Sequence, residues 1–310
     1  MQKIIIFIVF LLLLVSPLMI WGNHYLVGGD DSKLYYVYPQ EYIDNFAAKL
    51  SHNNTLSGAQ TGYVPVAYFI PLFLTIKYLK YISILNVQML MYGLNLALGF
   101  VFTVLFIRKI GIKSQAASVF GGLLYVCSPL LFKTLYNHQL PAMYLVSIMP
   151  GCLWLFTKSV LDKKIGHIII ATIIFSLFST TLNTLPWWSA FVLTSIPFLI
   201  RLLVCSPKRF ILTSFVFVVV GVILNSYWIV PYIDSLHSNR SNSLVNNYTG
   251  ADYRIENLRI ANGVVGLYSP YEVLRQLGLL LFPIVFIVLT RKNNFGLLLA
   301  SSIILAWYFY

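Results

Sequence analysis

Long apolar runs, separated by short polar clusters, recur along almost the whole chain. The first extends from Ile4 to Ile20, and others lie near 63–82, 84–107, 115–131, 140–157, 167–182, 186–203, 210–231, 273–290 and 295–310. A helix that crosses a bilayer needs about 20 mostly apolar residues, because the hydrocarbon core is roughly 30 Å thick and offers no partner for open backbone groups. The pattern therefore predicts an all-α polytopic transmembrane bundle. Two polar stretches, 22–62 and 232–272, interrupt it. No repeat of fixed period and no low-complexity linker divides the chain, so residues 1–310 are expected to form a single membrane domain.

The run 63–82 decides the topology. It contains Pro65, Pro71, Lys77 and Lys80, and a charge at the bilayer centre costs about 2.5–3.5 kcal/mol on insertion scales. If 63–82 does not cross, Lys3, Arg108, Lys109, Lys113, Lys158, Lys163, Lys164, Arg201, Lys208, Arg209, Arg291 and Lys292 share one side. Those twelve basic residues are accompanied by a single acid, Asp162, against nine basic and eight acidic residues on the other side. If it crosses, only eight basic residues remain inside and thirteen fall outside. The excess of Lys and Arg in cytoplasmic loops selects the first arrangement. About nine spanning helices are expected, with the amino terminus cytoplasmic. The first outer loop would then cover 22–83 with surface or re-entrant helices, and the second 232–272.

Within the first loop Pro39 can open a helix, since a proline in the first turn forfeits no intrahelical hydrogen bond. Tyr42, Ile43, Phe46, Ala47 and Leu50 would form an apolar stripe, with Gln40, Glu41, Asp44 and Asn45 facing away. Such a helix can lie on the outer membrane surface or stand as an ordinary loop helix. The first apolar run could be a cleavable signal, but no small-x-small site follows it. Trp21-Gly22-Asn23-His24 reads as an interfacial end, and a retained anchor is expected.

Composition excludes an ordinary soluble domain: 59% of residues are hydrophobic, 10% are charged and the mean hydropathy is +0.80. The net charge of +12 would suggest nucleic acid in a soluble protein, but here it follows the topology pattern and implies no nucleic-acid partner. Cys127, Cys152 and Cys205 have no metal-ligand spacing and read as structural thiols.

Candidate chemistry begins at Gly28-Gly29-Asp30-Asp31-Ser32-Lys33, just beyond the first helix. Adjacent carboxylates beside flexible glycines can supply a general base and a metal ligand, although an acidic pair in an outer loop also reads as a solvated face. The order of features says more than any one of them. Gly29-Asp30-Asp31-Ser32-Lys33-Leu34, Tyr38-Pro39, Gly58-Ala59-Gln60-Thr61-Gly62-Tyr63, Val64-Pro65 and Pro71 follow one another. Later come Ser128-Pro129, Leu140-Pro141 and Asn225-Ser226-Tyr227-Trp228-Ile229-Val230-Pro231. In this series the chain resembles the polyprenyl-phosphate-dependent GT-C glycosyltransferases. It looks most like the amino-terminal membrane module of the alpha-(1->3)-arabinofuranosyltransferase group.

That resemblance implies an inverting transferase of the plasma membrane with its active site facing outside. A polyprenyl-phosphate sugar donor would enter from the bilayer and pass its sugar to a cell-envelope glycan, lipid or protein. Asp31 is the first candidate for the general base and Asp30 the second. Lys33, Lys133, His138, Arg240 and Arg254 are the candidates for the donor phosphate, with Arg259 on the same side. A divalent cation, Mg or Mn, is open as cofactor, with Asp30 and His138 as its candidate ligands. Lys77 and Lys80 can instead serve lipid headgroups at the surface. His138 also reads as an interfacial histidine, and Arg254 with Glu256 as a loop ion pair. Members of the group are usually longer, and this chain stops inside an apolar run at Trp307-Tyr308-Phe309-Tyr310. It is therefore expected to lack their carboxy-terminal extension. Two other functions stay open: a transporter or flippase of lipid-linked sugars, and a non-catalytic truncated module. Charged groups at mid-membrane, which transport would call for, are almost missing from the apolar runs.

Overall fold

The first apolar run folds as helix α1 (Gln2–Trp21), which passes through Pro17 and stops at Gly22. Gly22 takes a positive φ of 69° and returns its N–H to the Leu18 carbonyl at 2.9 Å, a left-handed helix stop open to glycine without steric cost. The structure is a computed structural model that describes residues 2–26, 36–47, 51–52, 64–65, 70–83, 85–127, 140–177, 195–196 and 198–238.

Two short helices follow. α2 (Pro39–Ala47) opens at the proline, with Tyr42 and Ile43 turned inward and Gln40, Glu41 and Asp44 exposed. Its apolar side is covered by protein: the Tyr42 and Phe73 rings lie 5.6 Å apart. α3 (Ile70–Ile82) is shorter than the run 63–82, because Val64–Pro65 pairs antiparallel with Ser51–His52 and the helix starts only at Ile70, with Pro71 in its first turn. Its 13 residues rise about 20 Å, well short of a hydrocarbon core about 30 Å thick. Leu72, Phe73 and Ile76 bury one side of α3 in the main core, while Lys77, Lys80 and Tyr81 lie on the exposed side.

The central helix is α4 (Val87–Lys109), started by Asn86, whose side chain accepts from the Gln88 and Met89 N–H groups, and stopped at Gly111 with φ 102°. Ser114 caps α5 (Gln115–Val126) in the same way. Then come α6 (Leu140–Asp162), α7 (Gly166–Leu177), α8 (198–205) and α9 (Pro207–Ser238). α9 carries 32 residues and runs on past 231, so the second polar stretch begins as helix.

Contacts along the helices fix their directions. Asn86 N–H bonds the Asn23 side chain at 2.8 Å, so α4 starts where α1 ends. α4 and α6 run parallel: Ser147 donates to Asn95 Oδ1 at 2.5 Å midway, and Lys109 meets Asp162 where both helices finish. α7 returns beside α6, with Cys152 Sγ 3.7 Å from the Ala171 carbonyl. α9 follows α7 in the same direction, joined by Asn225 Nδ2 to Ser176 Oγ at 2.8 Å. Asn95 and Asn225 thus use their amides to join helices, as polar groups in membrane bundles do.

Glycines set the closest approaches. A Cβ on Gly93 would stand 2.0 Å from the Leu14 carbonyl oxygen, and one on Gly99 would stand 2.7 Å from that of Val146. The main core joins Phe73, Tyr92, Phe100 and Tyr144, and a second cluster around Phe106, Ile110, Phe198 and Leu202 closes the opposite end.

Among the described residues four helical segments are long and apolar enough to cross a membrane: Ile4–Trp21, Val87–Lys109, Tyr144–Asp162 and Pro207–Tyr227. The middle two have 61% and 67% of their windows buried within the protein, against 6% and 11% for the first and last. The former make the centre and the latter its apolar rim. Among the described side chains, Arg108, Lys109, Lys113, Lys158, Lys163, Lys164, Arg201, Lys208 and Arg209 gather at the end where α4 and α6 finish, hereafter the basic end. At the opposite end, where α1 finishes, the described lysines are Lys77 and Lys80.

Candidate functional site

The chain enters and leaves residues 27–35, which hold Asp30, Asp31 and Lys33, through two anchored flanks. On the entering side Gln88 clamps Leu26 like a neighbouring strand: Leu26 N–H donates to Gln88 Oε1 at 2.8 Å, and Gln88 Nε2 donates to the Leu26 carbonyl at 3.1 Å. The same Nε2 reaches the Tyr92 hydroxyl at 3.2 Å. On the leaving side Tyr36 is buried, its ring edge-on to that of Tyr92 at 6.4 Å, and Trp21 approaches Tyr92 from α1 at 6.3 Å. Both flanks therefore meet on the first two turns of α4.

Lys80 stands beside them. Its ammonium donates to the Val37 carbonyl, which ties α3 to the segment that leads out of the loop. It also separates two open clefts. One, of about 240 Å³, is lined by Asn23, Tyr25, Lys80, Ser83, Leu85, Asn86 and Val87. The other, of about 390 Å³, takes in Tyr38, Gln40, Glu41, Lys77 and Tyr81 as well as Lys80. Burial pushes the Tyr25 phenol above its ordinary range.

Of the residues singled out from sequence, the structure brings Lys77 and Lys80 to this end of the bundle, next to the flanks of the acidic loop. Asp30, Asp31, Lys33, Lys133, His138, Arg240 and Arg254 lie outside the described residues, as do Glu256, Arg259 and the spans expected near 273–290 and 295–310. Among the described residues no three of His, Cys, Asp or Glu form a metal-binding group. Asn86 is a helix cap, and Gln88 a clamp on a residue 62 positions away. The cap had a signal, an Asn opening an apolar run, but the clamp had none.

Removing the clamp makes a direct test. Gln88→Ala leaves the Leu26 N–H and carbonyl without their partner, a local loss of about 1–3 kcal/mol. Amide exchange at Leu26 is expected to quicken at least about tenfold, since local opening sets its rate. Unchanged exchange would show that other contacts hold the flank.

No family model matches the chain, and no curated protein or solved structure matches it.

Proposed function

We propose that the chain is a polytopic plasma-membrane glycosyltransferase of the GT-C type, most similar to the arabinofuranosyltransferase group. It moves a sugar from a polyprenyl-phosphate donor to a cell-envelope acceptor outside the cytoplasm. The observation that carries this reading is the anchoring of both flanks of the Asp30–Asp31 loop on α4, next to Lys77 and Lys80 and remote from the basic end.

The charge distribution supports the orientation. Nine basic side chains at one end support reading that end as cytoplasmic and the acidic loop as outward. α1 ends where α4 begins, and neither α2 nor α3 is long enough to cross, which supports leaving 63–82 out of about nine spans. Thiol labelling at positions 30 and 31 from the outside alone is the expected result; labelling only from the cytosol would reject the orientation.

In the proposed reaction the Asp31 carboxylate takes the proton of an acceptor hydroxyl. The freed oxygen attacks the anomeric carbon, and the bond from that carbon to the phosphate oxygen breaks with its electron pair on the departing polyprenyl phosphate. Attack opposite the leaving group inverts the anomeric centre. Lys33, Lys133, His138, Arg240 and Arg254 are the candidates for meeting the negative charge that develops on the phosphate, and cations held in place there lower the barrier. Incubation of the purified protein with a panel of labelled lipid-phosphate sugars tests the reading. Covalent transfer is expected, and movement of the lipid across vesicles without transfer would favour a flippase instead.

A further inference from the structure

The smaller cleft has the elements of a phosphate site. Asn86 is 5% exposed, and its Oδ1 is turned onto the Gln88 and Met89 N–H groups at 2.9 and 3.4 Å. That orientation directs Nδ2 away from the helix, where it is a buried donor with no hydrogen-bond partner among the described residues. The start of the 23-residue α4 lies at the same place, and the positive end of a helix dipole favours anions. Lys80 spends one of three ammonium donors on Val37 and, among the described residues, keeps two. Among the described residues no Asp or Glu lines this cleft, and Glu41 lies in the neighbouring one with Lys77. The lip is apolar: Leu85 lines it and is exposed, and Tyr81 and Ile82 nearby on α3 are 94% and 79% exposed.

We propose that this cleft binds the phosphate group of a membrane-embedded lipid, with Lys80 and Asn86 Nδ2 as its donors and the acyl or prenyl chain leaving across Tyr81, Ile82 and Leu85. The site rests on the transferase reading only in which lipid occupies it. Its position next to Asn23 and Tyr25, at the entrance to the acidic loop, would make that lipid the donor or its spent carrier.

Binding is measured on the purified full-length protein in detergent, with a polyprenyl monophosphate, phosphatidic acid and inorganic phosphate as separate probes. Both lipids are expected to bind more tightly than inorganic phosphate. Lys80→Ala should weaken lipid binding about fivefold and Lys80→Arg restore it. Asn86→Asp keeps the helix cap but replaces the amide donor by a carboxylate, so lipid binding should fall about tenfold or more with thermal stability unchanged. A preference for polyprenyl phosphate would support the site and join it to transfer; equal affinity for the two lipids would support the site as a general headgroup seat. Affinities that do not move in either Lys80→Ala or Asn86→Asp would overturn the proposal, as would inorganic phosphate binding as tightly as the lipids. The readout is binding, so loss of the transferase reading would leave this result standing.

Discussion

An Asp30→Asn, Asp31→Asn double variant is expected to lose sugar transfer from polyprenyl phosphate by about 10²–10⁴-fold, the contribution of a positioned general base. It should still reach the membrane in normal amount. Asparagine keeps the size and most of the hydrogen bonding of aspartate but cannot accept the acceptor's proton, so chemistry is removed with little change in packing. Asp31→Asn alone should account for most of the loss, with Asp30→Asn smaller. Full transfer by the double variant would end the assignment of the loop as catalytic. The Gln88→Ala variant complements this test: if the clamp on Leu26 positions the carboxylates, transfer should fall in step with faster exchange at Leu26.

Gly93→Val is expected to be the most damaging single substitution for the fold among the described glycines. Its Cβ would stand 2.0 Å from the Leu14 carbonyl oxygen and 2.7 Å from the carbonyl carbon, and backbone cannot yield as a side-chain tip can. Overpacking usually costs about 1–3 kcal/mol, and a clash with main chain belongs at or above the top of that range. α1 rests on the bundle chiefly through α4, so a clash at this approach disturbs its seat as a whole. The variant should therefore show a clear drop in thermal stability in detergent and a faster loss of the Trp21–Tyr92 contact, read by Trp21 environment. Gly166→Ala is the control, as nothing stands within 4 Å of its added carbon. Equal stability of the two variants would mean that α1 docks elsewhere.

The long apolar helices were legible because length and continuous apolarity are properties of the chain itself. Ile4–Trp21 and Val87–Lys109 follow directly from runs of the required length. The bounds that shifted did so for local reasons. At α3 the helix waits for Ile70 because Pro65 sits in a paired strand and Pro71 suits only a first turn. At α9 the polar residues beyond 231 continue the helix, since loss of apolarity marks where a helix leaves its apolar surroundings and not where it unwinds. The stripe of Tyr42 and Ile43 was legible as apolar, but periodicity does not say what covers it, and Phe73 of α3 does. In the candidate site Lys77 and Lys80 stood out as charges in an apolar run. The cap at Asn86 is local, but the clamp of Gln88 depends on Leu26, more than sixty positions away, and no local pattern encodes that.

Asn23–Asn86 and Leu26–Gln88 together draw a long excursion of the chain closed at its root. Part of that excursion belongs to the core itself, since Tyr36 and, from α3, Leu72, Phe73 and Ile76 are buried in it. Between those anchors, doubling the length of a closed loop adds only about 0.6 kcal/mol of entropy cost, so added residues there weigh little on the helices beneath.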